Sequence, residues 1–356
     1  MSDHDLLPAF LTPAWLGEVL GHEVRDLGVR RIGDGLVGMN LRLRVGYADP
    51  DAAATAGAPA TVVAKLPSPD PTSRATGVAL RNYEREVKFY RDLAGTLDIR
   101  VAHCWHADWD EASGDFVLVL EDLAPGEQGN QLTGCTVEQA RTAVLELAKL
   151  HGPRWGDPTL ADIEWLGRRT SREDSERLAG MYQLFLPGFL ATYSTYLDDD
   201  QQRLVTEFAS RVVEWAETAG SGPLTVTHGD YRLDNLMFAS PAGGYPVAAV
   251  DWQSPGHGPG INDVSYFLGA GLLPEQRRAV ERDLVREYAE ALRAYDVTID
   301  DDELWRLYAR GAYAGVIMTV VASQIVATTD RSEALFEAMG TRHTRHALDL
   351  DAASLI

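Results

Sequence analysis

The 356-residue sequence predicts an α+β protein in two parts: an antiparallel sheet with one main helix, then a larger and mostly helical part. Three observations predict it. Up to residue 120, short runs of alternating or β-branched apolar residues recur, with one helical stretch among them. Beyond Thr136, apolar residues return mainly at helical spacing. Between the two lies a Pro125-Gly126 break. The expected division is therefore 1–124 and 125–356.

The N-terminal elements follow from local pattern. Val29 to Ile32 and Leu41 to Val45 read as strands, with a glycine-rich loop between them. Residues 47–60, rich in Ala, Asp, Gly and Pro, read as a solvated hairpin loop. Thr61 to Lys65 is a third strand, closed by Pro67 and Pro69. A helix is expected over 78–93, with Val87, Tyr90 and Leu93 on one side. Residues 100–107 and Phe116 to Leu120 complete the order β-β-β-α-β-β. In the second part, Thr136 is placed to cap a helix over Val137 to Leu150. Further helices are expected near 175–196, 200–217, 275–295, 302–327 and 332–349, interrupted by a β-like island at 224–249.

Composition excludes several classes of function. The chain carries 32 basic and 53 acidic residues, a net charge of −21, which opposes nucleic-acid binding and docking on anionic lipid. Two cysteines, Cys104 and Cys135, make neither a disulfide framework nor a metal knuckle. The start lacks the basic-then-apolar order of a secretory signal. The most apolar stretch, Gly311 to Ala327, is interrupted by Ser323 and Gln324 and reads as a buried helix, not a membrane span. The expectation is a cytosolic protein with no membrane insertion and no evident protein partner. Of the 32 basic residues 29 are arginine, so each of Lys65, Lys88 and Lys149 is mildly informative.

The chemistry lies in an ordered set of motifs. Gly33, Gly35 and Gly38 form a G-x-G-x-x-G run. A dinucleotide site would need a helix next, whereas Met39 to Val45 alternate as a strand does. A glycine loop between antiparallel strands suits backbone N–H groups covering ATP phosphates, although an ordinary hairpin fits the local sequence equally well. Val62-Val63-Ala64-Lys65 places a lysine on a strand, and Glu86 on the following helix could hold it; Glu84 faces elsewhere. His228-Gly229-Asp230 followed by Asn235 fits His-x-Asp-x4-Asn. There Asp230 would orient or accept the proton of an attacking hydroxyl, and the Asn235 amide oxygen would bind a metal ion. Sixteen residues on, the apolar run 247–250 ends in Asp251, a second carboxylate suited to Mg²⁺.

These segments resemble the aminoglycoside phosphotransferase and choline kinase group of small-molecule kinases, most of all its ecdysteroid-kinase-like branch. Gly33 to Asn40, Val62 to Lys65, Glu86 to Tyr90, Val119 to Leu123, Leu147 to His151 with Trp155, His228 to Asn235, and Asp251 to Gln253 with Asp263 carry the resemblance. It implies a bilobal protein-kinase-like fold, with an ATP-binding N-lobe and a C-lobe that takes a hydroxylated small molecule. It also implies a hinge at Leu120 to Leu123, with Glu121 and Leu123 meeting the nucleotide base, and cofactors ATP and Mg²⁺. Departures from protein kinases sharpen the expectation. Gly229 stands where many of them place an arginine, and only eleven residues separate Asp251 from Asp263. That is too few for an activation loop and peptide platform.

The expected function is ATP-dependent transfer of the γ-phosphate to a hydroxyl of a small molecule. Trp165, Tyr182, Phe185, Phe189, Tyr193 and Tyr196 could line an apolar acceptor pocket, though helical spacing favours core. An apolar or amphipathic alcohol is favoured over an aminoglycoside antibiotic, which remains the alternative. A catalytically silent nucleotide-binding pseudokinase is the alternative from another class. His151 is expected to be a packed structural histidine, His228 and Asp263 to support the loop, and Arg342 to His346 to form a solvated helix face.

Overall fold

Five antiparallel strands in the order β1-β2-β3-β5-β4 make the first sheet. They are β1 (Val24–Ile32), β2 (Gly38–Tyr47), β3 (Thr61–Pro67), β4 (Cys104–Trp109) and β5 (Phe116–Glu121). A computed structural model describes residues 6–33, 38–167 and 171–356. It divides into two units. The first comprises the chain up to Gly95, Val101–Ala124 and the short segment Asp251–Ser254; the second comprises Thr96–Arg100, Pro125–Val250 and Pro255–Ile356.

In the first unit, alternate residues Leu41, Leu43, Val62, Ala64, Val117 and Val119 point into one core with Leu16 and Leu27. Leu16 belongs to α1 (Pro13–Leu20), which sequence reading passed over. Its signals are local and complete: Thr12 accepts from the Trp15 N–H, Pro13 opens the helix and Gly21 ends it at φ 72. The expected loop 47–60 contains α2 (Pro50–Thr55), nucleated by the Asp49 cap and Pro50 ahead of three alanines. The single helix expected over 78–93 is broken. The chain forms α3 (Pro71–Ala79), turns at Arg81 (φ 58), then runs as α4 (Asn82–Lys88) into one wide π turn, Phe89–Leu93. Val87, Tyr90 and Leu93 are nevertheless buried together as expected.

The second unit holds β6 (Glu127–Gln128), α5 (Val137–His151), α6 (Arg172–Tyr193), α7 (Asp199–Phe208) and α8 (Val212–Ala219). Then come β7 (Leu224–Thr227), β8 (Leu236–Ser240), β9 (Gly243–Ala249), β10 (Gly256–Pro259), α9 (Ile261–Gly271) and α10 (Pro274–Leu292). The chain ends in α11 (Asp301–Gly311), α12 (Tyr313–Ile325) and α13 (Asp330–Asp349). Thr136 and Gln139 cap α5 reciprocally. The expected helices 200–217 and 302–327 are each two helices, divided at Ala209–Arg211 and at Ala312. Tyr182, Phe189 and Tyr193 belong to the core that α6, α7, α8, α12 and α13 share, and Tyr196 is exposed. Tyr182, Phe189 and Tyr193 are thus packing, not pocket lining.

Two small antiparallel sheets position the segment 228–235. β7 pairs with β10, and β8 is held between β6 and β9, so the loop is anchored at both ends. Among the described residues no helix is long and apolar enough to cross a membrane.

Candidate functional site

In the first unit, β3 places Lys65 opposite Asn40 of β2 and Leu118 of β5, in the middle of the sheet and not at an edge. The side chain is buried, and its Nζ lies 2.7 Å from both carboxylate oxygens of Glu86 and 2.6 Å from Oδ1 of Asp251. Burial alone would lower the ammonium's pKa; the charges of Asp251 and Glu86 outweigh it, and the net shift is upward. Burial raises the Glu86 carboxyl against the pull of Lys65, and the Gln253 amide adds a hydrogen bond to it. Glu84 instead pairs with Arg81 and Lys88. Asp251 sits two residues beyond the end of β9, at φ 65, a region non-glycine residues seldom adopt. The next residue, Trp252, stacks on Phe89 with ring centroids 3.9 Å apart and planes at 6°.

The glycine run is seen in part. Gly33 has φ 68. Gly38 begins β2, and a Cβ there would lie 3.6 Å from Lys65 Cε and 4.0 Å from Gln253 Nε2. Gly35 lies outside the described residues. At the expected hinge, the Glu121 N–H donates to the His103 carbonyl at 2.8 Å, and the His103 N–H donates back to Glu121 Oε2 at 3.0 Å. Asp122 takes Arg42 in a two-pronged ion pair. Leu123 is buried.

In the second unit, the loop from His228 to Asn235 is fixed by bonds at every turn. Asp263 on α9 accepts the His228 N–H at 2.7 Å and the Gly229 N–H at 3.1 Å, and its Oδ2 lies 3.3 Å from His151 Nε2. Burial alone would raise the Asp263 pKa; the His151 contact and the pull of His228 reverse this, and the net shift is downward. Gly229 has φ 79, so glycine at this position is a backbone requirement. His228 Nδ1 accepts from the Asp230 N–H and its Nε2 donates to the Val250 carbonyl, which sets the tautomer. The Val250 N–H bonds back to the Asn235 carbonyl at 2.9 Å. His151 is fully buried between Asp263 and the Tyr288 hydroxyl, a packed structural role.

The Asp230 carboxylate has three donors. Oδ2 accepts from Asn235 Nδ2 at 2.9 Å and from Arg232 Nε at 3.2 Å; Oδ1 accepts from the Tyr266 hydroxyl at 3.0 Å. Asn235 Nδ2 also donates to the Asp230 carbonyl, so chemistry fixes the amide's orientation and turns its oxygen away. Arg232 also binds Asp234, which Arg331 approaches at 3.4 Å.

Tyr266 and Arg232 were missed in the sequence. Arg232 lies within the motif; Tyr266 stands three residues after Asp263 on α9, one turn along the same face. The segment Arg342 to His346 is not a solvated face: Arg342, His343, Thr344 and His346 are buried. Arg342 donates to the carbonyls of Gln131, Ala270 and Leu132, and so ties α13 to the neighbouring backbone.

With this geometry in view, the family model for the ecdysteroid kinase-like family matches residues 33–297. The chain belongs to the ecdysteroid kinase-like family. No match was found among curated proteins. Solved structures with a similar fold include a candidate aminoglycoside phosphotransferase from Ralstonia eutropha JMP134. It has 19% identity and a TM-score of 0.57, over 95% of this chain and 97% of the other. An ethanolamine kinase from Plasmodium vivax has 12% identity and a TM-score of 0.53, over 96% and 88%. The GDP complex of wild-type aminoglycoside 2'-phosphotransferase-IIIa has 13% identity and a TM-score of 0.52, over 94% of each chain. At such identities the likeness establishes a kinase-like fold, which this ecdysteroid kinase-like chain shares.

Proposed function

We propose that the protein is an ATP-dependent phosphotransferase acting on a hydroxyl of a small molecule. The observation that carries this reading is the Lys65 cluster. One buried ammonium between the carboxylates of Glu86 and Asp251 leaves a formal charge of −1. A polyphosphate can approach such a cluster only with a cation. Asp251 and the Asn235 amide oxygen are hard ligands of the kind Mg²⁺ takes. Held by ligands of this kind, the ion would neutralise charge on the phosphates. Lys65, held by Glu86, orients the α and β phosphates, and Gly33, Gly35 and Gly38 supply the loop that covers them. Glu121 and Leu123 meet the nucleotide base through their backbone.

Asp230 orients the acceptor hydroxyl and takes its proton as the new P–O bond forms and the bond to the ADP oxygen breaks. Alignment and charge do most of the work in such a transfer. An apolar or amphipathic alcohol is the acceptor proposed, with an aminoglycoside the alternative; Arg232, paired with both Asp230 and Asp234, does not decide between them. The gentamicin and GDP complexes among similar folds belong to those proteins. The test is ATP-dependent mass gain across a library of hydroxylated metabolites that includes aminoglycosides. Asp230→Asn is expected to remove nearly all transfer while ATP still binds. Near-normal turnover in that variant would sink the reading, and acceptor-independent silence of the wild type would favour a pseudokinase.

A further inference from the structure

Asp230 offers about four acceptor positions, two on each oxygen. Asn235 and Arg232 fill those of Oδ2, and the Tyr266 hydroxyl fills one on Oδ1. By count, one position remains, on Oδ1. Any hydroxyl that donates to Asp230 must therefore share the oxygen held by Tyr266.

Tyr266 is well built to hold that oxygen still. It lies on α9 one turn after Asp263, so one helix face fixes both the backbone of the loop, at His228 and Gly229, and the carboxylate of Asp230. Its ring is buried and lies nearly parallel to His343 of α13, with centroids 5.2 Å apart and planes at 19°. Neither nitrogen of His343 has a hydrogen-bond partner among the described residues, so the imidazole meets Tyr266 as a flat packing surface. Burial and the nearby Asp230 charge push the Tyr266 pKa well up, which keeps the hydroxyl a donor.

We propose that Tyr266 is a positioning residue: by filling one of the two positions on Oδ1 of Asp230 it leaves a single direction in which the acceptor hydroxyl can donate. The inference rests on the phosphotransferase reading. Without the Tyr266 hydroxyl, Oδ2 stays held by Asn235 and Arg232, but Oδ1 offers two open positions and the acceptor hydroxyl can donate in either direction. The loss falls on the aligned transition state and not on nucleotide binding.

The experiment compares wild type, Tyr266→Phe, Asp230→Asn and the double variant, in ATP turnover with water or an identified alcohol as acceptor. Rates are normalised to ATP-binding sites counted on the same samples, so a poorly folded fraction does not enter. Tyr266→Phe is expected to lower kcat about tenfold with KM for ATP unchanged, as loss of a bond to a charged group implies. The double variant should be no slower than Asp230→Asn alone, because Tyr266 acts through Asp230. Unchanged kcat in Tyr266→Phe, with Asp230→Asn inactive, overturns the Tyr266 inference and leaves the phosphotransferase reading intact. So does a further loss in the double variant, which indicates an independent structural role. Full activity in Asp230→Asn, or no ATP turnover in the wild type, overturns both.

Discussion

Phe89 and Trp252 lie face to face, 163 positions apart in the chain, at 3.9 Å and 6°. Phe89 follows Glu86 by three residues and Trp252 follows Asp251 by one, so the stack packs together the two segments whose carboxylates flank Lys65. Both rings are fully buried.

Trp252→Ala is therefore expected to destabilise the protein by about 3–5 kcal/mol, the usual loss for a buried large aromatic. Trp252→Phe, which keeps a ring to stack, should lose clearly less. Urea unfolding of the three proteins measures this. Equal midpoints for Ala and Phe would mean the stack contributes nothing.

Lys65→Met leaves a buried carboxylate at Glu86 with no cation. Breaking such a pair costs about 3–5 kcal/mol. Adding Glu86→Gln should recover part of the loss, since the charge that lacked a partner is gone. A double-mutant cycle by denaturant unfolding reads the coupling. Simple additivity would show that the two side chains do not stabilise each other.

Asp263→Asn should cost about 1.5–3 kcal/mol, because one oxygen must replace two beneath His228 and Gly229. The native carboxyl titrates below its ordinary range, so its stabilisation is present above the unfolded value near pH 4 and is lost as acid protonates the folded form. Stability of the wild type should fall more steeply with acid than that of Asp263→Asn. Parallel pH curves would contradict the assignment.

His343 gives the opposite kind of group. Burial, then the charges of His346, Arg342 and Arg277, hold its pKa well below the ordinary histidine value. Below about pH 6.5 the unfolded chain takes up a proton that the folded one refuses, so stability falls as pH drops, by up to about 1.4 kcal/mol per unit. His346 shifts the same way and adds to it. His343→Phe, which keeps a flat ring against Tyr266, should flatten the denaturation midpoint between about pH 7.5 and 5.5 relative to wild type. An unaltered slope would mean that His343 titrates normally.

Strands β2 and β3 and helix α5 were legible because each buries mainly one face and so writes its period into the sequence, and β5 because its buried run is apolar throughout. Lys65, Glu86, Asp230, Asn235 and Asp251 were legible as residue types at fixed spacings. Helix α9 was not, because Val264 to Gly271 are buried on every side and leave no amphipathic stripe. The buried face of α13 was hidden for a different reason. Polar residues read as solvated, yet Gly315 and Gly269 on neighbouring helices leave room for His343 and His346 where any Cβ would collide. The Tyr266 contact to Asp230 needed the fold, because nothing at position 266 distinguishes a hydroxyl that points at a carboxylate from one that points at water.

The segment Asp251–Ser254 belongs to the first unit although both of its flanks belong to the second. The N-terminal 124 residues are consequently not a detachable module. A fragment ending there would carry Phe89 with one aromatic face stripped bare and Lys65 short of one of its two counter-ions. Four residues supplied from far down the chain complete the first unit, so the second face of Phe89 is covered and the second counter-ion of Lys65 is in place only once residues 251–254 have been made.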